Sequence, residues 1–189
     1  MKKTIFALLA LLLLACGEEH FIPKPPTYLK LELPGHQYES YVDSCGYSFD
    51  LPTIYTVEKA PTTDENLCHR RIQLGALNGT VYFRYWDMTQ PLSFYVNNAN
   101  DEIDRHKGKA LEITDNRILR FSERVFGALF QLDGDVATPF QFYLTDSTER
   151  FVYGEVLFNS SPNYDSIKPS LNYLKKDLEQ LLETFKWEH

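Results

Sequence analysis

The stretch TVYFRYWDM, residues 80–88, places bulky side chains on both sides of one extended segment. Side chains alternate across a strand, so Val81, Phe83 and Tyr85 face one way while Tyr82, Trp86 and Met88 face the other. A half-solvated antiparallel strand alternates apolar with polar residues, and this one does not. Both faces of the sheet that contains it must therefore be covered. Asn78-Gly79 immediately precedes it and reads as a hairpin turn, since both residues tolerate positive φ.

Two amphipathic segments can supply the covering layers. After Thr89, a plausible N-cap, and Pro91, whose missing N–H is harmless in a first turn, Leu92, Tyr95, Val96, Ala99, Ile103 and His106 recur at helical spacing up to Gly108. His106 closes that stripe and reads as a helix-end residue rather than a metal ligand. Near the C-terminus, Asp165 is a good N-cap and Pro169 still falls in the first turn. Ile167, Leu171, Leu174, Leu178, Leu181, Leu182 and Phe185 then form one apolar stripe that must lie against a sheet face.

The remaining chain reads as short strands between turn residues. Tyr28 to Leu33, Tyr47 to Leu51, Ile54 to Glu58 and Arg71 to Ala76 precede the central strand. Arg124 to Gln131, Phe140 to Thr145 and Arg150 to Phe158 follow the first helix, joined by turns at Asp133-Gly134-Asp135 and Asp146-Ser147-Thr148. The Asp-Gly-Asp turn lacks the spacing of a calcium loop. Strands in series with one internal and one terminal helix indicate an α+β fold, a mainly antiparallel twisted sheet flanked by helices. Its element order is similar to that of PsbP-like α/β/α sandwiches, an analogy of fold that carries no ligand.

The N-terminus reads as an address. Lys2 and Lys3 precede an apolar run from Ile5 to Ala15, too short for a membrane-spanning helix and ended by Cys16-Gly17-Glu18-Glu19. Leu13-Leu14-Ala15-Cys16 resembles a lipobox, which implies cleavage before Cys16 and acylation of its thiol. Residues 1–15 are then a lipoprotein signal peptide. Residues 16–27, with Pro23, Pro25 and Pro26, form a lipid-anchored tether, and residues 28–189 a single domain. A multiply acylated cysteine would anchor the chain to a membrane.

With Cys16 assigned to lipid, only Cys45 and Cys68 remain, and outside the cytoplasm such a pair suggests a disulfide. The alternative is a nucleophilic Cys68 beside His69, weakened because adjacent strand residues point to opposite faces. The formal charge of −7 falls to −9 once Lys2 and Lys3 leave with the leader. No long basic cluster exists, which argues against nucleic acid as a partner.

Catalytic motifs are missing: there is no GxSxG, HExxH, P-loop or GxGxxG. The histidines at 20, 36, 69, 106 and 189 have no metal-ligand spacing. No catalytic residue, metal ligand or cofactor is therefore assigned. Tyr82, Tyr85 and Trp86 could line a ligand pocket, although aromatic residues in strands are more often core.

Several of these features together carry a family resemblance. The lipobox, Ile22-Pro23-Lys24-Pro25 followed by Tyr28 and Leu33-Pro34, the Cys45/Cys68 pair, and TDSTERFVYGEVLFNSSPNYDSIKP with Phe185-Lys186-Trp187 resemble the gliding motility lipoprotein GldD family. The resemblance implies a cell-envelope lipoprotein needed for surface gliding and associated with type IX secretion. It brings no catalytic residue, so only Cys16 transfers as a functional position. The expected protein is a non-enzymatic accessory or assembly factor that contacts envelope proteins of that machinery, its domain in the periplasm or, alternatively, at the cell surface. A periplasmic ligand-binding module with a pocket between sheet and helix is the second expectation.

Overall fold

The computed structural model describes residues 32–61, 67–159 and 164–188. The leader, Cys16 and the proline-rich tether lie outside them. In chain order the elements are β1 (Tyr38–Asp43), β2 (Tyr47–Pro52), β3 (Thr56–Lys59), β4 (Arg70–Gln73), β5 (Gly79–Asp87) and α1 (Leu92–Asp104). There follow β6 (Ala110–Arg120), β7 (Val125–Gly134), β8 (Phe140–Thr145), β9 (Arg150–Phe158), α2 (Tyr164–Thr184) and β10 (Lys186–Trp187). Seven strands form one sheet in the order β3-β4-β5-β9-β8-β7-β6, and β1-β2-β10 form a second, smaller sheet. Every pairing is antiparallel.

The large sheet carries a helix on each face, as the two-faced β5 requires, though α1 covers its face only in part. Val81, Phe83 and Tyr85 of β5, Phe142 and Leu144 of β8 and Val152 and Val156 of β9 form the main core, with Leu174, Leu178, Leu181 and Leu182 of α2. The small sheet closes the same core, since Tyr47 and Phe49 of β2 lie within ring-contact distance of Phe83 and Phe185. On the opposite face Ala99 of α1 packs on Phe151 and Tyr153, with Trp86 beside them. Farther along α1, Ile103 packs on Leu132 and Val136. The alternating side chains of β9 thus serve two cores, in a helix, sheet, helix order.

One backbone position is set by close packing. Gly154 pairs with Phe142 across the sheet, and a Cβ at Gly154 would lie 2.1 Å from the Phe142 ring. The glycine makes room for an aromatic ring lying across it, a contact that offsets the side chain missing from the strand.

The structure corrects several sequence expectations. Of the strand expected from Tyr28 to Leu33, residues 28–31 lie outside the described residues and Glu32 and Leu33 are not in a strand; among the described residues the first strand is β1. Arg71 to Ala76 ends early, because Gly75–Leu77 turn into a single 3-10 helix. Asn78 caps that turn in the left-handed region at φ 51°, so the β4–β5 connection is longer than a two-residue hairpin. Thr89 is not the N-cap of α1: Pro91 holds that position and makes no side-chain cap. Instead the Thr89 N–H donates to the Tyr95 hydroxyl. Strand β6 was not anticipated at all.

Candidate functional site

Cys45 and Cys68 form a disulfide, with their Cα atoms 5.8 Å apart. That removes the thiol from the Cys68-His69 alternative. His69 Nδ1 accepts a hydrogen bond from the Tyr85 backbone N–H, and its ring meets the edge of Trp86. Beside the disulfide, the Arg70 guanidinium grips the buried Asp43 carboxylate through Nε at 2.6 Å and Nη2 at 2.8 Å. Tyr41 also donates to Asp43, at 2.6 Å. Burial pushes the Asp43 carboxyl up, but Arg70, Tyr41 and the Cys45 N–H outweigh it and hold it below its usual range. A paired, hydrogen-bonded charge of this kind organises the corner rather than reacting.

A second buried carboxylate was missed from the sequence. Asp177 sits on the apolar face of α2 and accepts hydrogen bonds from Tyr55 at 2.6 Å and Tyr38 at 3.0 Å, with His36 Nδ1 at 2.7 Å. The His36 ring stacks on Tyr173 at 4.1 Å. This cluster ties the segment before β1 and the β2–β3 turn to the helix. Its signal was available in the sequence, because an acid between Leu174 and Leu178 interrupts the leucine stripe. A third polar knot joins the β8–β9 turn to the C-terminus. Asp146 accepts from the N–H groups of Thr148, Glu149 and Arg150, while the Arg150 guanidinium lies over Trp187 and reaches the Glu188 carbonyl.

The face that carries α1 differs from these closed clusters. A 13-residue helix cannot cover a seven-stranded sheet, and it leaves a groove on each flank. The first, about 320 Å³, has Trp86, Phe151 and Tyr153 as its floor and Phe94, Tyr95 and Ala99 as its wall. Arg84, Asp101, Glu102 and Arg105 form a rim of both charges, held by Arg84–Glu155 at 2.6 Å and Arg105–Glu102 at 2.8 Å. Phe94 is 51% exposed. The second groove, about 360 Å³, lies between Leu92 and Val96 of α1 and Leu119, Phe126, Phe130 and Tyr143 of the sheet.

An apolar floor with a charged rim is the anatomy of a binding surface. Of the three aromatic residues suggested as a pocket, only Trp86 lies here. Tyr85 points into the main core, and Tyr82 does not line the groove. Sequence reasoning missed the other members because they come from β5, β9 and α1, brought together only by strand order.

Among the described residues, no group of three or more His, Cys, Asp or Glu is placed to hold a metal ion, and no helix is long and apolar enough to cross a membrane. No curated protein matches the chain. Among solved structures, the solution structure of cyanobacterial PsbP (CyanoP) from Synechocystis sp. PCC 6803 is similar at a TM-score of 0.46 and 7% identity, over 84% of this chain and 98% of that one. The family model described as gliding motility lipoprotein GldD matches residues 18–187, a span that takes in the disulfide, the Asp43 and Asp177 clusters and both grooves. The chain belongs to the gliding motility lipoprotein GldD family.

Proposed function

We propose that this gliding motility lipoprotein is a non-enzymatic accessory or assembly factor of the motility and type IX secretion machinery, acting through protein contacts. Cys16 carries the lipid, and the proline-rich residues 17–27 link it to the domain. The observation that carries the protein-contact reading is the incompletely covered α1 face, with exposed Phe94 over an aromatic floor and charged groups at its rim. The buried carboxylates Asp43, Asp146 and Asp177 are each engaged by neighbouring donors, as expected of structural clusters. The test is a deletion strain: loss of gliding together with loss of type IX secretion is expected, whereas normal gliding and secretion would overturn the proposal. A Cys16→Ala chain should leave the membrane fraction and fail to restore gliding.

The second reading, an envelope ligand seated in the α1 groove, is favoured by Trp86, Tyr95 and Phe151 beside Arg84 and Glu102. Thermal shift of the protein with envelope glycans separates the two readings, because a ligand at a hundred times its Kd stabilises by about 2.7 kcal/mol. Protease shaving of intact cells distinguishes a periplasmic domain from a surface-exposed one.

A further inference from the structure

The two ends of the large sheet are finished differently. At one end β3 is four residues long, a short edge of the kind that limits unwanted pairing. At the other end β6 runs for eleven residues, and among the described residues no strand pairs with its outer edge. Leu111, Leu119 and Phe121, on or just beyond this edge, are 82%, 60% and 74% exposed. Long edges that carry apolar residues invite another strand. Charge usually blocks such pairing, so the arrangement of charge along β6 decides what can add.

Residues 111–121 read LEITDNRILRF. Reversed about Asn116, the regular part of the strand sets Asp115 opposite Arg117, Ile113 opposite Leu119, Thr114 opposite Ile118, and Glu112 opposite Arg120, whose guanidinium also donates to the Leu182 and Phe185 carbonyls. Parity is kept, since opposed residues are separated by an even number and so share a face of the extended sheet. Arg117 and Asp115 are free to turn outward, at 82% and 54% side-chain exposure and 4.0 Å apart within one chain. Opposed unlike charges favour an antiparallel pair and opposed like charges disfavour it.

We infer that β6 is a self-association edge, pairing antiparallel with β6 of a second copy about a two-fold axis at Asn116. The large sheets of the two molecules become continuous, and each interface has two Asp115–Arg117 pairs, as the symmetry of an isologous contact requires. A single strand pair buries little area, so the contact is weak in dilute solution and strengthened where membrane tethering concentrates the chain. It leaves the Phe94 groove open and does not depend on what that groove binds.

The test uses the full chain in its own cells, oxidised with copper phenanthroline. Cross-strand Cα atoms lie about 4.5 to 5.5 Å apart, within disulfide range, so Asn116→Cys should give a reducible dimer. Glu58→Cys, at the other edge, should remain monomeric. Adding Asp115→Arg, or Arg117→Asp, should lower the dimer fraction roughly tenfold, and combining both should restore it. Absence of dimer from an Asn116→Cys chain with normal abundance and protease resistance would overturn the inference. Equal crosslinking by Glu58→Cys, or equal yields from all charge variants, would overturn it too.

Discussion

Phe142 lies across Gly154 without room to retreat, because the ring is fully buried. Gly154→Ala is expected to lower unfolding free energy by about 2 kcal/mol, the cost of overpacking a dense core, and Phe142→Leu in the same chain should recover part of it. Equilibrium urea unfolding measures both. Asp177 poses the opposite problem, a buried acceptor whose removal strands its donors. Asp177→Ala should cost about 2 kcal/mol through the unpaired Tyr55 and Tyr38 hydroxyls, and Tyr55→Phe in that background should be better tolerated than in the wild type. These residues show what a linear reading loses: Gly154 looks like a weak point in a strand until its cross-strand partner is known. Asp177 looks like an exposed helix acid until the stripe on either side of it is traced.

At the scale of elements, α2 begins under control of a distant loop. The Tyr164 N–H donates to the Asp135 carboxylate at 2.9 Å, so the acid after Gly134 caps a helix 29 residues later. Asp135→Ala should cost about 1 kcal/mol, measured by thermal unfolding, as for loss of a side-chain cap. The sequence marked Asp133-Gly134-Asp135 as a turn but gave no hint of that partner. Strands β8 and β9 were legible to the residue because each is bounded by turn signals and filled with aromatic and β-branched residues. Strand β6 was not, because as an edge it is covered on neither face well enough to alternate; most of its side chains are exposed or half-buried. Strand β1 was hidden for the same reason, with Glu39, Ser40 and Val42 exposed. The α1 groove was legible only through Trp86, since its remaining walls depend on the placing of β5 beside β9.

For the whole molecule, the disulfide and the buried tyrosines set the conditions of stability. Closing the loop between Cys45 and Cys68 should contribute about 3 kcal/mol through the entropy of the unfolded chain, and thermal melts with and without dithiothreitol should differ accordingly. Burial, and then the neighbouring carboxylates Asp177 and Asp43, push Tyr38 and Tyr41 up to about 12. Tyr55 and Tyr85 are raised further by burial and by Asp177 and Asp87. A folded-state pKa above the unfolded value of about 10 gives stability that is complete below that pH and lost as pH rises toward 12. Asp43 and Asp146 are held low, so their contribution is present above about pH 4 and lost as pH falls through their folded values. Unfolding free energy should therefore be flat between these limits and decline on both sides.

The central claim, that a gliding lipoprotein works by presenting its α1 face to another envelope protein, turns on Phe94, which can be changed without touching a core. Gliding of single cells should be measured in a deletion strain that carries Phe94→Glu at wild-type abundance in the membrane fraction. Cells that remain as immobile as the deletion strain are the expected result. Cells that glide at wild-type speed would contradict the account.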